Sequence, residues 1–568
     1  MTLAPLANVF AYSNPNRSVL GAVRARLESA PEFSAVWEPA PGWVASTAPL
    51  PGGDIDTEPA QRAGLAFGEG AHLAGNPDAV ALKVDAGRFD LGGDVGVVRF
   101  RGDGGASVVR SAAGLVPWYA WSGRGALAVA TRITDLVRYL PEPVEVDPFP
   151  TALWGSGQAS FPDRRTFLVG ADAVAPGTAA MLGIDGSKNH VGWWDPWQRH
   201  IELPGERRRQ DHVAAFREAV IGALRDGLDR GGTNLLTLSG GVDSTLLAAL
   251  IAGHLGVPVS ALSFVPDGNE ESFEREWSYL GPIVDEFVTP PHIAYPLGTA
   301  ARCELAGRGP TVAFPVLHPA LQVLPEVVAQ TGASVLVGGE FADEVCGGHH
   351  AMPDWADAVG PRHLLGLMAR RQVTVRDILR WGKLRTPKHV APTFWPESLA
   401  PFVRPDLNAE FRVWRSKQLS VRAADNRPYR HLRSLLVATE GVTAMNWEAC
   451  SALRVRRLFP FLTRQTLELV ASCHPAELIV PGVKRLERQA FAGMAPAHNL
   501  GRSHKGSFGA TRGDGESLVS PPAPPLLAAV LRDELVERET ELSAVATAGL
   551  RCLVRFAENL GTVRGGKR

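Results

Sequence analysis

Residues 239–244, SGGVDS, sit between the apolar run LLTL and the segment TLLAALIA, and they collect the residue types that hold an anion. Glycines let a backbone approach a ligand closely and adopt conformations closed to other residues. The free N–H groups of a following helix, with its dipole behind them, complete an anion site. Ser239, Ser244 and Thr245 add hydroxyl donors. The chain contains no GxxxxGK[ST], so this is not a Walker A loop. A plain strand-to-helix turn with a Ser N-cap shares the composition, and Asp243 tips the reading towards a site. A second apolar run, SVLV, opens into GGEFADEVCGGH at residues 338–349. Its Glu340, Asp343 and Glu344 are either solvated loop residues or a second group of carboxylates brought to the same place.

Such loops need a sheet behind them. NLLTL, STLLAALIAGHL, VSALSFV and ASVLVGG read as buried strands of a parallel α/β sheet, with a helix opening at Asp243-Ser244-Thr245. Before residue 197 the texture differs: VALKV, DVGVVRF, ASVVRS, ALAVAT, TFLVG and TAAML alternate with GDGG, SGRG and IDGS turns, predicting stacked antiparallel sheets. WWDPWQ closes that region, LPGERRRQD follows, and HVAAFREAVIGALRDGLDR has helical periodicity. The expected domains are 1–197 and 205–515, with a helical tail over 516–568. Residues 351–440, rich in Arg, Trp and Pro, predict an irregular helical insertion.

Bulk properties bound the function. At 568 residues the chain predicts two or three domains. A net charge of -1 argues against a general nucleic-acid or membrane surface. The five cysteines are scattered without a CxxC pair, which fits a reducing compartment and supplies no zinc site. The apolar region 246–265 is broken by His254, Gly256 and Pro258, and the N-terminus lacks a signal-peptide pattern. A soluble, cytoplasmic protein is expected, with no nucleic-acid or membrane partner.

SGGVDS resembles the pyrophosphate loop of the ATP pyrophosphatases, and GGEFADE at the expected distance resembles the GE-x-(A/S)-DE segment of the asparagine synthetase superfamily. The resemblance implies ATP and Mg²⁺ as cofactors, and adenylation of a substrate carboxylate with loss of pyrophosphate. It implies that Ser239, Gly240, Gly241, Val242, Asp243 and Ser244 hold the pyrophosphate. Asp243 and Asp343 would hold Mg²⁺, and Glu340 would lie near the reacting amine. Leu238, Ser263, Phe264 and Gly338, at the C-terminal ends of neighbouring strands, would frame the adenosine. LFPFLTRQTLELV resembles the family's VPFLD segment with Thr463 in place of Asp. KRLERQAFAGMAPAHNLGRSHKGSF resembles its stretch of Lys/Arg-rich helix, Pro and R-x-x-K loop, which puts Lys505 on the lysine that stabilises the developing charge.

The first domain resembles the superfamily's N-terminal-nucleophile glutaminase through SAAGLVPWYAW, GALAVATRITDLVRYL, VAPGTAAML and WWDP. The expected class is α/β: an N-terminal antiparallel sandwich of Ntn-hydrolase type (αββα), then a parallel-sheet ATP pyrophosphatase domain with a helical insertion and C-terminal helices. Residue 2 is Thr, no cysteine precedes Cys303, and the glutamine-binding stretch is not evident, so the amine is expected to arrive with the substrate. Three carboxylates are candidates for its base: Glu340 first, then Glu448, with Glu440 competing. The leading reading is an AMP-forming amide ligase acting on a peptide or small-molecule carboxylate and amine. Lasso-type macrolactam cyclisation, with a leader-peptide-binding protein and a protease as partners, comes first; small-molecule lactam synthesis of β-lactam type comes second, and asparagine synthesis from ammonia third. A non-catalytic ATP-binding regulator is the reading of another class. A tRNA-thiolating enzyme would need catalytic cysteines or a basic RNA surface.

Overall fold

The computed structural model describes residues 7–33, 35–49, 64–69, 84, 87, 89, 94–157, 160–198, 205–266, 270–296, 310–315, 318–347, 365, 368–369, 375, 398–424, 432–433, 436, 440–479, 484–502, 530, 550, 552–558 and 560. In the first domain DVGVVRF, ASVVRS, ALAVAT and TAAML supply antiparallel strands of two sheets, whereas TFLVG forms a turn with a single bridge at Leu168, and of VALKV only Val84, which is helical, lies within the described residues. One sheet has six strands in the order β2-β3-β1-β8-β7-β9 and the other has five in the order β11-β10-β6-β5-β4. Here β1 is Ala7–Ser13, β2 Ala35–Trp37, β3 Trp43–Pro49, β4 Gly64–Glu69, β5 Asp94–Phe100 and β6 Ala106–Val109. Then come β7 Tyr119–Gly123, β8 Ala126–Ala130, β9 Ala171–Ala173, β10 Thr178–Leu182 and β11 Lys188–Gly192.

Strand β1 shows how period two builds these layers. Val9 and Ala11 face the core between the sheets with Trp43, Phe100 and Trp118. Phe10 and Tyr12 face the other way, onto Leu27 of α1 (Arg17–Glu28) and Leu136 of α2 (Ile133–Tyr139). A third helix, α3 (Pro148–Gly155), is capped by Asp147, whose side chain accepts from the Phe149 N–H.

The second domain opens with α4 (Glu206–Gly227) and carries a five-stranded parallel sheet in the order β14-β13-β12-β15-β16. Its strands are β12 Thr233–Thr237, β13 Val259–Val265, β14 His292–Pro296, β15 Ala333–Val337 and β16 Arg456–Leu458. Both faces of the central strands β12, β13 and β15 are buried, as the near-continuous apolar runs predict, while edge strand β14 is partly exposed. Leu235, Leu262 and Leu336 face one core, and Leu236, Ala261, Val335 and Val337 the other. STLLAALIAGHL, grouped with the strands by its apolar run, is helical instead: α5 (Val242–Ala248) runs directly into a π-helical segment, Ala249–His254. Helix period and burial on all sides leave the same unbroken apolar signature as a strand.

In the insertion the described residues include one long regular helix, α9 (Pro405–Ala424). Between α5 and α9 lie α6 (Glu270–Phe287), α7 (Leu324–Thr331) and α8 (Ala342–Val345). They are followed by α10 (Glu440–Ala452), α11 (Arg464–Ser472), α12 (Arg485–Ala490) and α13 (Ala497–Leu500). No helix among the described residues is long and apolar enough to cross a membrane.

The two domains share a core. Phe314 of the second domain meets Trp154 at 4.7 Å and Phe167 at 5.1 Å between ring centroids, both edge-on, and Phe556 from the tail meets Phe167 at 5.3 Å. Helix α10 adds charge to this contact. Glu440 at its start pairs with the buried Arg110 of the first domain. Two turns on, the fully buried Glu448 accepts hydrogen bonds from the N–H groups of Ile133 (3.1 Å) and Thr134 (2.9 Å) and from the Thr134 hydroxyl. A carboxylate at the first turn of α2 satisfies donors that the helix leaves open.

Candidate active site

Three segments converge at the C-terminal edge of the parallel sheet. The first is the 239–244 loop. Gly240 is left-handed (φ +67), and a Cβ there would come within 3.0 Å of the Leu280 backbone, so glycine is required. The Ser239 N–H donates to Ser244 Oγ at 3.1 Å, and the two hydroxyls lie 3.1 Å apart. Asn499 of α13 braces the turn from outside through its Nδ2, with the Gly240 carbonyl at 3.1 Å and the Tyr279 carbonyl at 2.9 Å. Arg502 pairs with Glu276 at 2.6 Å and covers the Tyr279 ring at 4.3 Å.

The second segment follows β15. Phe341 takes a left-handed φ of 69°, and α8 begins at once, which brings Asp343 into its first turn. A non-glycine residue held there stores roughly 1–3 kcal/mol of strain, the kind of cost found at sites that need a fixed geometry. Gly339 lets this loop pass close to the first one, since a Cβ on it would lie 3.0 Å from the Asp243 Cβ. Glu340 pairs with the buried Arg457, which also donates to Asn446 Oδ1 (2.9 Å) and to the Leu336 carbonyl (3.0 Å). Oε2 of Glu340 is buried and has no partner among the described residues.

The third segment supplies a residue that the sequence reading passed over. Lys484, also left-handed (φ 56°), is fixed by its N–H to the Gly347 carbonyl at 2.9 Å. Its buried Nζ binds Asp243 and lies 2.9 Å from Asp343 Oδ1, so one ammonium ties the two loops together. Burial alone would lower its pKa, but Asp243, Glu487 and Asp343 outweigh that and hold it well above the ordinary lysine range. Lys505 lies outside the described residues. The stretch that drew attention to it begins with Lys484 itself. The clue that was available is the KRLERQAF pattern, which puts this lysine at the mouth of a short helix whose Leu486 and Ala490 enter the core.

The structure thus brings Asp243, Asp343 and Glu340 to one edge. Of the adenosine-framing set, the N–H groups of Leu238 and Gly338 are engaged by the Leu262 and Leu458 carbonyls. The Ser263 hydroxyl meets His292 Nε2 at 2.9 Å, and Phe264 tilts against Tyr295. Glu448 and Glu440 lie at the domain contact, where their carboxylates are taken up by α2 and Arg110. Thr463, standing where the resembling segment has Asp, is the N-cap of α11, its hydroxyl accepting from the Thr466 N–H at 3.1 Å. That is a role an Asp could also fill.

A second cluster, His212, Cys473 and Glu477, is a buried His–Glu pair at 3.0 Å whose other carboxylate oxygen caps the His474 N–H. The charges of Arg208, Arg209 and Arg485 act around it, which suits an ion pair better than a cation.

Two carboxylates from separate segments, beside a glycine-rich strand-to-helix turn and under a fixed ammonium, have the donor chemistry that suits a hard cation and an anion. The family profile described as asparagine synthase matches residues 215–555, more than half of the chain. The chain belongs to the asparagine synthase family. It therefore carries an ATP-binding, asparagine-synthase-like ligase domain. No curated protein matches the chain. Among solved structures, it is similar to the U34-tRNA thiolase NcsA from Methanococcus maripaludis with its 4Fe-4S cluster, at 16% identity over 44% of this chain and 81% of that chain. The TM-score there is 0.15, and the likeness carries no argument.

Proposed function

We propose that this asparagine synthase family member is an AMP-forming amide ligase that closes a macrolactam on a peptide, with the amine supplied by the substrate. The observation that carries the ligase chemistry is the Lys484 ammonium between Asp243 and Asp343. The residues fit Mg²⁺: the donors are carboxylate oxygens, and Asp243 and Asp343 keep partial exposure while Lys484 is buried. When bound, the ion neutralises charge on the phosphate oxygens.

The turn at 239–244 receives the pyrophosphate portion of ATP on its N–H groups and hydroxyls. The substrate carboxylate attacks the α-phosphorus, the α–β bond breaks and pyrophosphate leaves. Lys484 offers its charge to the phosphoryl oxygens as negative charge gathers there. The amine then attacks the acyl-adenylate, AMP leaves, and the amine proton goes to Glu340 through its unpartnered Oε2.

The peptide reading rests on the length of the insertion before α10, residues 351–440, which suits a substrate larger than an amino acid. A thiolating enzyme needs exposed, activated cysteines. Among the described residues the four cysteines, Cys346, Cys450, Cys473 and Cys552, are buried, and burial pushes Cys450 up to about 12. The test is pyrophosphate release by wild type and Asp343→Ala against a panel of peptide and small carboxylates, including aspartate with ammonia. Release that needs a peptide carboxylate and Asp343 is expected. Turnover with aspartate and ammonia would replace the macrolactam reading, and no release from any carboxylate would leave an ATP-binding protein.

A further inference from the structure

Three acidic side chains, not two, gather around Lys484. Lys484 caps α12 and Glu487 lies in its first turn, three residues on, so both side chains leave one face of the helix. Glu487 is fully buried, and no donor among the described residues reaches either of its carboxylate oxygens. Burial and the charges of Asp243 and Asp343 push its carboxyl well above the usual range against the pull of Lys484, and the Asp243 carboxylate lies within its hydrogen-bonding reach. An ionised carboxylate in that position costs several kcal/mol unless a counter-charge meets it. The single ammonium is already shared by the two aspartates. With all three carboxylates ionised, three against one ammonium leave a formal charge of -2, which is the charge that one divalent cation balances. All-oxygen donors select Mg²⁺ or Mn²⁺ over the softer metals.

Building on the reading of Asp243 and Asp343 as the cation-holding pair, we propose that Glu487 is a third carboxylate of that site, and that the site takes its divalent ion before nucleotide arrives. Sites with one or two carboxylates usually hold Mg²⁺ with the help of substrate phosphates. A third carboxylate supplies charge that the phosphates otherwise bring. The ion enters past Asp243 and Asp343, whose side chains keep 22% and 17% exposure, and Glu487 forms the floor.

The probe is Mn²⁺ alone, titrated into the full chain without nucleotide and followed by electron paramagnetic resonance. Wild type is expected to bind one ion. Glu487→Gln keeps the shape, and its fold is checked by circular dichroism. It should bind roughly tenfold more weakly or worse, since even the loss of an outer-shell partner costs that much at other metal sites. Glu487→Asp, with the charge one methylene back, should fall between them and serves if the Gln variant does not fold. Equal affinity in the variants and wild type would mean that Glu487 shares a proton with Asp243 and holds no metal, which overturns the proposal. Wild type that binds no Mn²⁺ until ATP is added overturns it as well. Asp343→Asn separates the two readings. If it abolishes binding while Glu487→Gln does not, only Glu487 is removed from the site; if it leaves binding intact, the two-aspartate reading fails too.

Discussion

Replacing Lys484 by Met is the sharpest perturbation of the site. At 2.9 Å, the ammonium and Asp343 carboxylate attract by about 6 kcal/mol in a medium of effective dielectric near 20, before desolvation is subtracted. A phosphoryl oxygen within the same reach feels a field of the same order. Removing one fixed donor from a preorganised site costs about 3–4 kcal/mol, or 10²–10³ in kcat. Met keeps much of the stem's volume, so the loss is of charge rather than of packing. Pyrophosphate release should therefore fall 10²–10³-fold in kcat, while MgATP binding by calorimetry persists, because Asp243, Asp343 and the 239–244 turn remain. Lys484→Arg keeps the charge on a planar fork that the two carboxylates must accommodate, and should lie between. A Met variant with kcat within tenfold of wild type would refute the assignment of charge stabilisation to this lysine.

Other expectations concern the scaffold. Gly240→Ala forces a Cβ into a left-handed turn against the Leu280 backbone, and should weaken ATP binding about tenfold or more by calorimetry, given roughly 1–2 kcal/mol for the φ alone. Arg110→Met strands the mostly buried Glu440 and should destabilise the domain contact by about 3–5 kcal/mol, read as faster limited proteolysis; Arg110→Met with Glu440→Met should recover most of it. Burial raises Glu448 from 4.5 to about 7, so the folded state binds its proton more readily than the unfolded chain. That contribution is complete below about pH 4.5 and is lost as pH rises through 7. Its full span is about 3 kcal/mol. The apparent thermal midpoint of wild type should fall more steeply between about pH 4.5 and 7 than that of Glu448→Gln, and parallel curves would count against it.

Much of this was legible because two periodicities and two glycine-rich loops are local signals. NLLTL, VSALSFV and ASVLVGG are short apolar runs, each ending where a loop must turn, and they are β12, β13 and β15. Asp243 and Asp343 sit in loops whose glycines announce close approach. Lys484 was not legible in the same way. Its role depends on a left-handed backbone and on burial between two carboxylates 241 and 141 residues earlier in the chain. Neither leaves a mark in composition, and the lysine in GRSHKGS looked the more exposed to function. Glu448 shows the reverse situation. An acidic residue on a buried helix invites a catalytic reading, whereas it closes the first turn of α2 in the other domain, a partner 314 residues away that no local pattern announces.

The most direct test of the adenylation claim follows oxygen. With ATP, Mg²⁺ and a peptide labelled with ¹⁸O in the reacting carboxylate, capture of the acyl-adenylate should leave one ¹⁸O in the phosphate of AMP, seen by mass spectrometry, with unlabelled pyrophosphate beside it. Label in inorganic phosphate with ADP as co-product, or AMP without label, would contradict attack of the carboxylate on the α-phosphorus.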